Sequence, residues 1–109
     1  GAWQPDLELA AGRRLGNERF SAVVLSNGEG MARLGLSVAA RILKRAVDRN
    51  RVRRLIRESF RLHQLRLPAV DIVVGVRSPV RDANNSQLRG SLERLWQKIS
   101  TACESSSAS

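Results

Sequence analysis

The sequence predicts an α+β fold, a small sandwich with helices packed on a central sheet. Three observations predict it. Val52, Leu55, Ile56, Ser59, Phe60, His63 and Leu67 recur at the spacing of one helix face, and Pro68 follows them. Three stretches, Glu18–Ser26, Ala32–Ala40 and Val70–Arg77, carry the β-branched and alternating apolar pattern of strands. Leu88, Leu92, Leu95, Trp96 and Ile99 form a second helical stripe near the C-terminus.

Taken in order, Asp6–Ala11 predicts a short helix with Pro5 near its start. Leu7 and Leu9 read as packing residues. Glu18–Ser26 (ERFSAVVLS) follows as a strand. Asn27-Gly28-Glu29-Gly30 reads as a turn, and its Asn-Gly pair is a hairpin signal. Ala32–Ala40 alternates through Leu34, Leu36 and Val38, a half-buried strand in which Gly35 marks a bulge or a close backbone approach. A helix is expected from about Arg45 to Leu67 and is closed by Pro68. Val70–Arg77 (VDIVVGVR) is the most continuously apolar strand and reads as central. The last helix starts at Asn84 or Asn85, with Gln87 placed as the third residue of a capping box after Asn84. Residues 1–103 are expected to form one domain, and 104–109 (ESSSAS) a flexible polar tail. Gly1 in place of Met is read as a processed or trimmed start.

The function rests on charge. The 109 residues carry a net +9, with 42% apolar residues, enough for one modest core. The stretch Lys44–Arg66 holds nine cations against two acids and so contributes +7 of that total. On a helix, Asn50, Arg53, Arg54, Arg57 and Arg61 fall together opposite the apolar stripe. Arg51 flanks that wall, and Arg49 lies nearer the apolar side at the helix start. Like charges at i,i+4 cost a free helix about 0.2–0.5 kcal/mol each, so such a face implies a polyanionic partner. Arginine also suits phosphate, because its planar fork bonds two oxygens at once. Lys44 and Arg45 extend the basic region. Arg13 and Arg14 either add to it or are simply solvated. Phe20 is open to two readings, a core ring or a platform for a nucleobase.

Other classes fit less well. No apolar run approaches the roughly 18 residues of a membrane span. GAWQPDLELA lacks the layout of a signal peptide, so the cytoplasm is the expected compartment. One cysteine, Cys103, excludes an internal disulfide and a cysteine metal cluster. The single histidine, His63, lies on the apolar stripe and reads as packed. The ten acids form no cluster of the nuclease metal type, so neither a catalytic residue nor a bound cofactor is expected in the protein alone. For a DNA-reading helix, nothing resembles a helix-turn-helix, since this basic helix is flanked by strands. A membrane-surface helix would need its apolar face free rather than packed in a core.

The stretch Arg49-Asn50-Arg51, followed by Arg53-Arg54-Leu55-Ile56-Arg57-Glu58, resembles the RNR motif of the protein subunit of bacterial ribonuclease P. The preceding Arg33–Ala40, the downstream Leu67-Pro68 and Asp71–Arg77, and Ser91–Trp96 are similar as well, so the resemblance spans about Gly12 to Ser100. It implies an additional short strand near Arg14–Asn17, hence the order α-β-β-β-α-β-α, with the fold of the second domain of a small-subunit ribosomal protein and a left-handed crossover through the basic helix. It also implies a function. The RNA subunit, with Mg²⁺ in the RNA-containing holoenzyme, hydrolyses the phosphodiester at the 5′ end of mature tRNA. The protein, one per RNA, binds that RNA and the 5′ leader of precursor tRNA. Arg49, Asn50, Arg51, Arg53, Arg54 and Arg57 are the implied RNA contacts, with Lys44, Arg45 and Arg61 beside them. The family's first helix carries two aromatic residues that line the leader cleft. Here Pro5 and Leu9 stand at those positions, and Trp3 is out of register. A ribosomal type of structured-RNA binder, with no role in cleavage, is the alternative the composition allows.

Overall fold

The computed structural model describes residues 12–27 and 30–107, with side chains to residue 103. The expected helix at Asp6–Ala11 lies outside the described residues. Among the described residues four strands, β1 (Arg13–Gly16), β2 (Phe20–Ser26), β3 (Arg33–Ser37) and β4 (Val70–Val76), form one mixed sheet in the order β1-β2-β4-β3. Two helices among them, α1 (Ala46–His63) and α2 (Asn85–Ser107), accompany it.

The apolar run of β4 takes the inner position expected of it, antiparallel to β2 and parallel to β3. The Asn-Gly hairpin expectation fails for the same reason. β2 and β3 are not partners, because β4 lies between them. A local turn signal carries no information about a strand that arrives more than forty residues later. The true hairpin joins β1 to β2, where Asn17 Oδ1 accepts the backbone N–H groups of Arg19 and Phe20, each at 3.0 Å. Gly16 is needed at this corner. A Cβ there would lie 2.8 Å from the Phe20 carbonyl oxygen and 2.9 Å from an Arg77 nitrogen. Gly35 is not such a site. A Cβ there would meet nothing closer than Val73 Cγ2 at 3.6 Å, and the β3–β4 register passes through it without a bulge.

Cross-strand register sorts the sheet into two faces. Phe20, Ala22 and Val24 of β2 and Val70, Ile72 and Val74 of β4 are buried in the same core as the helices. α1 contributes Val52, Leu55, Ile56 and Phe60 to it, and α2 contributes Leu88, Leu92, Leu95, Trp96 and Ile99. The Phe60 and Trp96 rings meet edge to face with centroids 5.7 Å apart. Beside them the Trp96 indole N–H donates to the buried Ser59 hydroxyl at 2.8 Å. That bond explains a polar residue on the apolar stripe. The opposite sheet face carries Ser21, Val23, Val73, Gly75, Gly35 and Ser37, in register across three strands.

α1 runs as predicted but ends at His63, whose Nδ1 lies 2.8 Å from the Ser59 carbonyl oxygen. A 3₁₀ turn over Gln64–Arg66 then leads to Pro68. The predicted capping box is present. Asn84 Oδ1 accepts the Gln87 N–H at 2.8 Å, and Gln87 Oε1 accepts the Asn84 N–H at 2.9 Å. α2 continues to Ser107, into the segment expected as a polar tail. No glycine or proline stands after Gly90, so each further residue can add a helical hydrogen bond.

Removing the Ser59 hydroxyl leaves the Trp96 N–H buried without an acceptor. Ser59→Ala is expected to cost about 1–3 kcal/mol. Urea unfolding would read this as a lower midpoint at an unchanged slope.

Candidate nucleic-acid interface

Because the stripe of α1 is buried, its other face is fixed outward. Asn50, Arg53, Arg54, Arg57, Glu58 and Arg61 line one surface groove of about 510 Å³. All are exposed except the half-buried Arg53, whose Nη1 donates to Asn50 Oδ1 at 3.3 Å. Among the described residues no carboxylate lies within 4.0 Å of the Arg53, Arg54, Arg57 or Arg61 side-chain nitrogens; the one ion pair on α1 is Arg45 with Asp48, at 4.0 Å. Four guanidinium groups thus share one groove with one carboxylate, Glu58. Glu58 stands in the groove wall itself.

The other expected contacts divide. Lys44 and Arg45 are exposed at the leading end of α1. Arg49 is half-buried and turned inward, with Nη1 donating to the carbonyl oxygens of Leu43 at 2.8 Å and Lys44 at 2.9 Å. Arg51 reaches across to α2, donating to Asn85 Oδ1 at 2.6 Å. Two of the three residues of the RNR stretch are therefore engaged within the protein, and Asn50 alone stands in the groove.

Arg13 and Arg14 do not act as a pair. They are adjacent on a strand and so point to opposite faces. Arg13 Nη1 donates to the Ala102 carbonyl oxygen at 2.7 Å, tying β1 to α2. Arg14 is exposed and registers with Val23 on the open sheet face. For Phe20 the base-stacking reading is withdrawn. Its ring is 0% exposed in the core, so no face is available to a base. The residues of β2 on the open face are Ser21, Val23 and Leu25, the last in register with Asp71.

That face also holds an ion pair the sequence reading did not single out. Arg33 grips Asp71 through Nε at 2.7 Å and Nη2 at 2.8 Å, and Asn27 Nδ2 donates to the same carboxylate at 2.9 Å. The Arg33 hydrogen bonds, with that of Asn27, hold the Asp71 pKa below its ordinary value against the opposing effect of burial. The parallel pairing Arg33↔Asp71 is the signal that would have found it. Next to the pair, Gly35 and Val73 line a shallow, largely apolar depression of about 290 Å³.

The groove arginines are suited to binding anions. Arginine donates without accepting protons near neutrality. Among the described residues no three of His, Cys, Asp and Glu stand together as a metal site. No helix among them is long and apolar enough to cross a membrane.

The family model described as Ribonuclease P matches residues 8–100, which contain all four strands, α1 and most of α2. The chain belongs to the ribonuclease P protein family. It is 44% identical over 91 residues to the ribonuclease P protein component of Thioalkalivibrio sulfidiphilus, covering 84% of this chain and 76% of that protein. The structure of the Staphylococcus aureus RNase P protein superposes with a TM-score of 0.78 at 34% identity, covering 90% of this chain and 91% of that one. For the Thermotoga maritima RNase P protein the TM-score is 0.77 at 28% identity, covering 91% and 97%. Membership makes the chain a ribonuclease P protein component, a subunit of that ribonucleoprotein.

The groove arginines contribute little to folding, since they sit beside like charges and outside the core. Arg53→Ala combined with Arg57→Ala is expected to leave unfolding free energy within about 0.5 kcal/mol of the parent, or to raise it slightly. Urea unfolding at low salt, where repulsion is least screened, is the measurement.

Proposed function

We propose that this chain binds the catalytic RNA of ribonuclease P through the outer face of α1, with the open sheet face receiving the 5′ leader of precursor tRNA. The observation that carries this reading is the groove with four arginines and a single acid. Structured RNA offers phosphates at spacings that a rigid helix can match, and arginine forks onto them. The buried stripe of α1 holds these groups in place, so little side-chain and backbone ordering is left to occur on binding. Asn50, exposed at the groove, can bond a phosphate or a 2′-OH.

In this reading the protein supplies affinity and orientation, and the RNA performs the chemistry. Phosphodiester hydrolysis at the 5′ end of the mature tRNA proceeds with Mg²⁺ that we assign to the RNA-containing holoenzyme. One protein per RNA is the proposed stoichiometry, and the cytoplasm the proposed compartment. By bringing positive charge next to two polyanions, the subunit lowers their mutual repulsion and so reduces the Mg²⁺ that the complex needs.

The test is cleavage of a precursor tRNA at low Mg²⁺ by a bacterial ribonuclease P RNA, with and without the chain. The protein alone should be inert and should restore cleavage when added to the RNA. The Arg53→Ala/Arg57→Ala variant should stay folded and restore it less well. If the chain binds RNA and never assists cleavage, the reading gives way to a ribosomal type of RNA binder.

A further inference from the structure

The entry into α1 lacks the usual device for starting a helix. Arg45 takes the N-cap position in an extended conformation, and no side chain caps the helix. A Ser, Thr, Asp or Asn there would satisfy a free N–H and fix the incoming chain. Here the incoming chain is held from inside the helix. Arg49, one turn along, uses one guanidinium nitrogen to donate to two successive carbonyl oxygens, those of Leu43 and Lys44. That nitrogen carries two hydrogens, and the protein takes both. The Leu43 side chain is buried at 5% exposure, so one of the two acceptors belongs to a residue anchored in the core. The Arg45 carbonyl oxygen closes the turn, accepting the N–H groups of Asp48 and Arg49 at 3.1 Å each. With their carbonyl oxygens so held, Lys44 and Arg45 keep exposed side chains, Arg45 with Nε 4.0 Å from Asp48 Oδ2.

We infer that Arg49 is a positioning residue. It does not grip RNA itself; it sets the path of residues 43–45 and so presents Lys44 and Arg45 as RNA contacts at the leading end of the basic helix. The inference rests on the RNA-binding reading of α1 above. It goes beyond that reading by dividing the RNR stretch into a clamp, Arg49, and a contact, Asn50. It also assigns the clamp's effect to two cations that lie outside the stretch.

A double-mutant cycle tests this. The probe is a transcribed bacterial ribonuclease P RNA, bound at fixed salt and Mg²⁺. The proteins are the parent, Arg49→Ala, Lys44→Ala/Arg45→Ala, and all three substitutions together. Urea unfolding of each variant runs in parallel. Arg49→Ala alone is expected to weaken binding about fivefold to tenfold, and by less than about twofold once Lys44 and Arg45 are gone, since coupled residues are non-additive. A global loss of stability does not predict that dependence on background. The same loss from Arg49→Ala in both backgrounds would mean an independent phosphate contact and would overturn the inference. So would a Lys44→Ala/Arg45→Ala protein that binds as tightly as the parent. If Arg49→Ala does not fold, Arg49→Lys keeps the charge and loses the fork, and the same cycle with it must show the same dependence on background. A parent chain that fails to bind the RNA at all overturns the RNA-binding reading, and this inference with it.

Discussion

The cationic face this protein offers a partner depends on the burial of the opposite face of α1. Val52, Leu55, Ile56, Ser59 and Phe60 are held between the sheet and α2, and Phe60 and Ser59 both meet Trp96. Each large apolar side chain so buried is worth about 1.5–3 kcal/mol. The repulsion between arginines at i,i+4 on the outer face is about 0.2–0.5 kcal/mol per pair. The packing term is several times larger, so the helix tolerates a wall of like charge that an isolated helix would resist. The charge is therefore held in a fixed geometry before any partner arrives.

The sheet serves the same end. β3 leads into α1 and β4 leads out of it, side by side and parallel, so both ends of the basic helix are tied to adjacent strands. The N-terminal tie is reinforced by Arg49 and the lateral one by Arg51 on Asn85. With the helices gathered on one face, the other carries Ser21, Gly75 and Ser37 in one row, Val23, Val73 and Gly35 in the next, and Leu25 with the Arg33–Asp71 pair beyond them. The protein thus presents two different surfaces, a charged groove on α1 and a flatter, more neutral sheet. The proposed binding of a structured RNA and a single-stranded leader would draw on such a difference.

Much of this was legible in the chain. The α1 stripe, the central place of Val70–Val76 and the Asn84–Gln87 box are short-range patterns, and short-range patterns survive folding when packing agrees with them. What was not legible depends on partners distant in sequence. Nothing within Asn27–Gly30 shows that β4 will separate β2 from β3. Phe20 could be read as a base platform until the register put it on the helix side with Ala22 and Val24. Arg13 and Arg14 could be read as part of the basic surface or as solvated, and a strand at 13–16 sends them to opposite faces. For Arg49 and Arg51 the helical angle hinted at flanking positions. It could not show that backbone carbonyls and Asn85 would be within reach.

The central claim is that a prearranged cationic face engages RNA phosphates. The most direct measurement is the affinity of the chain for ribonuclease P RNA across 50–200 mM monovalent salt. With about six phosphates neutralised, log K should fall against log[salt] with a slope near −4 to −5, and the slope should become shallower in Arg53→Ala/Arg57→Ala. A slope near zero, or one that those two substitutions leave unchanged, would contradict the account.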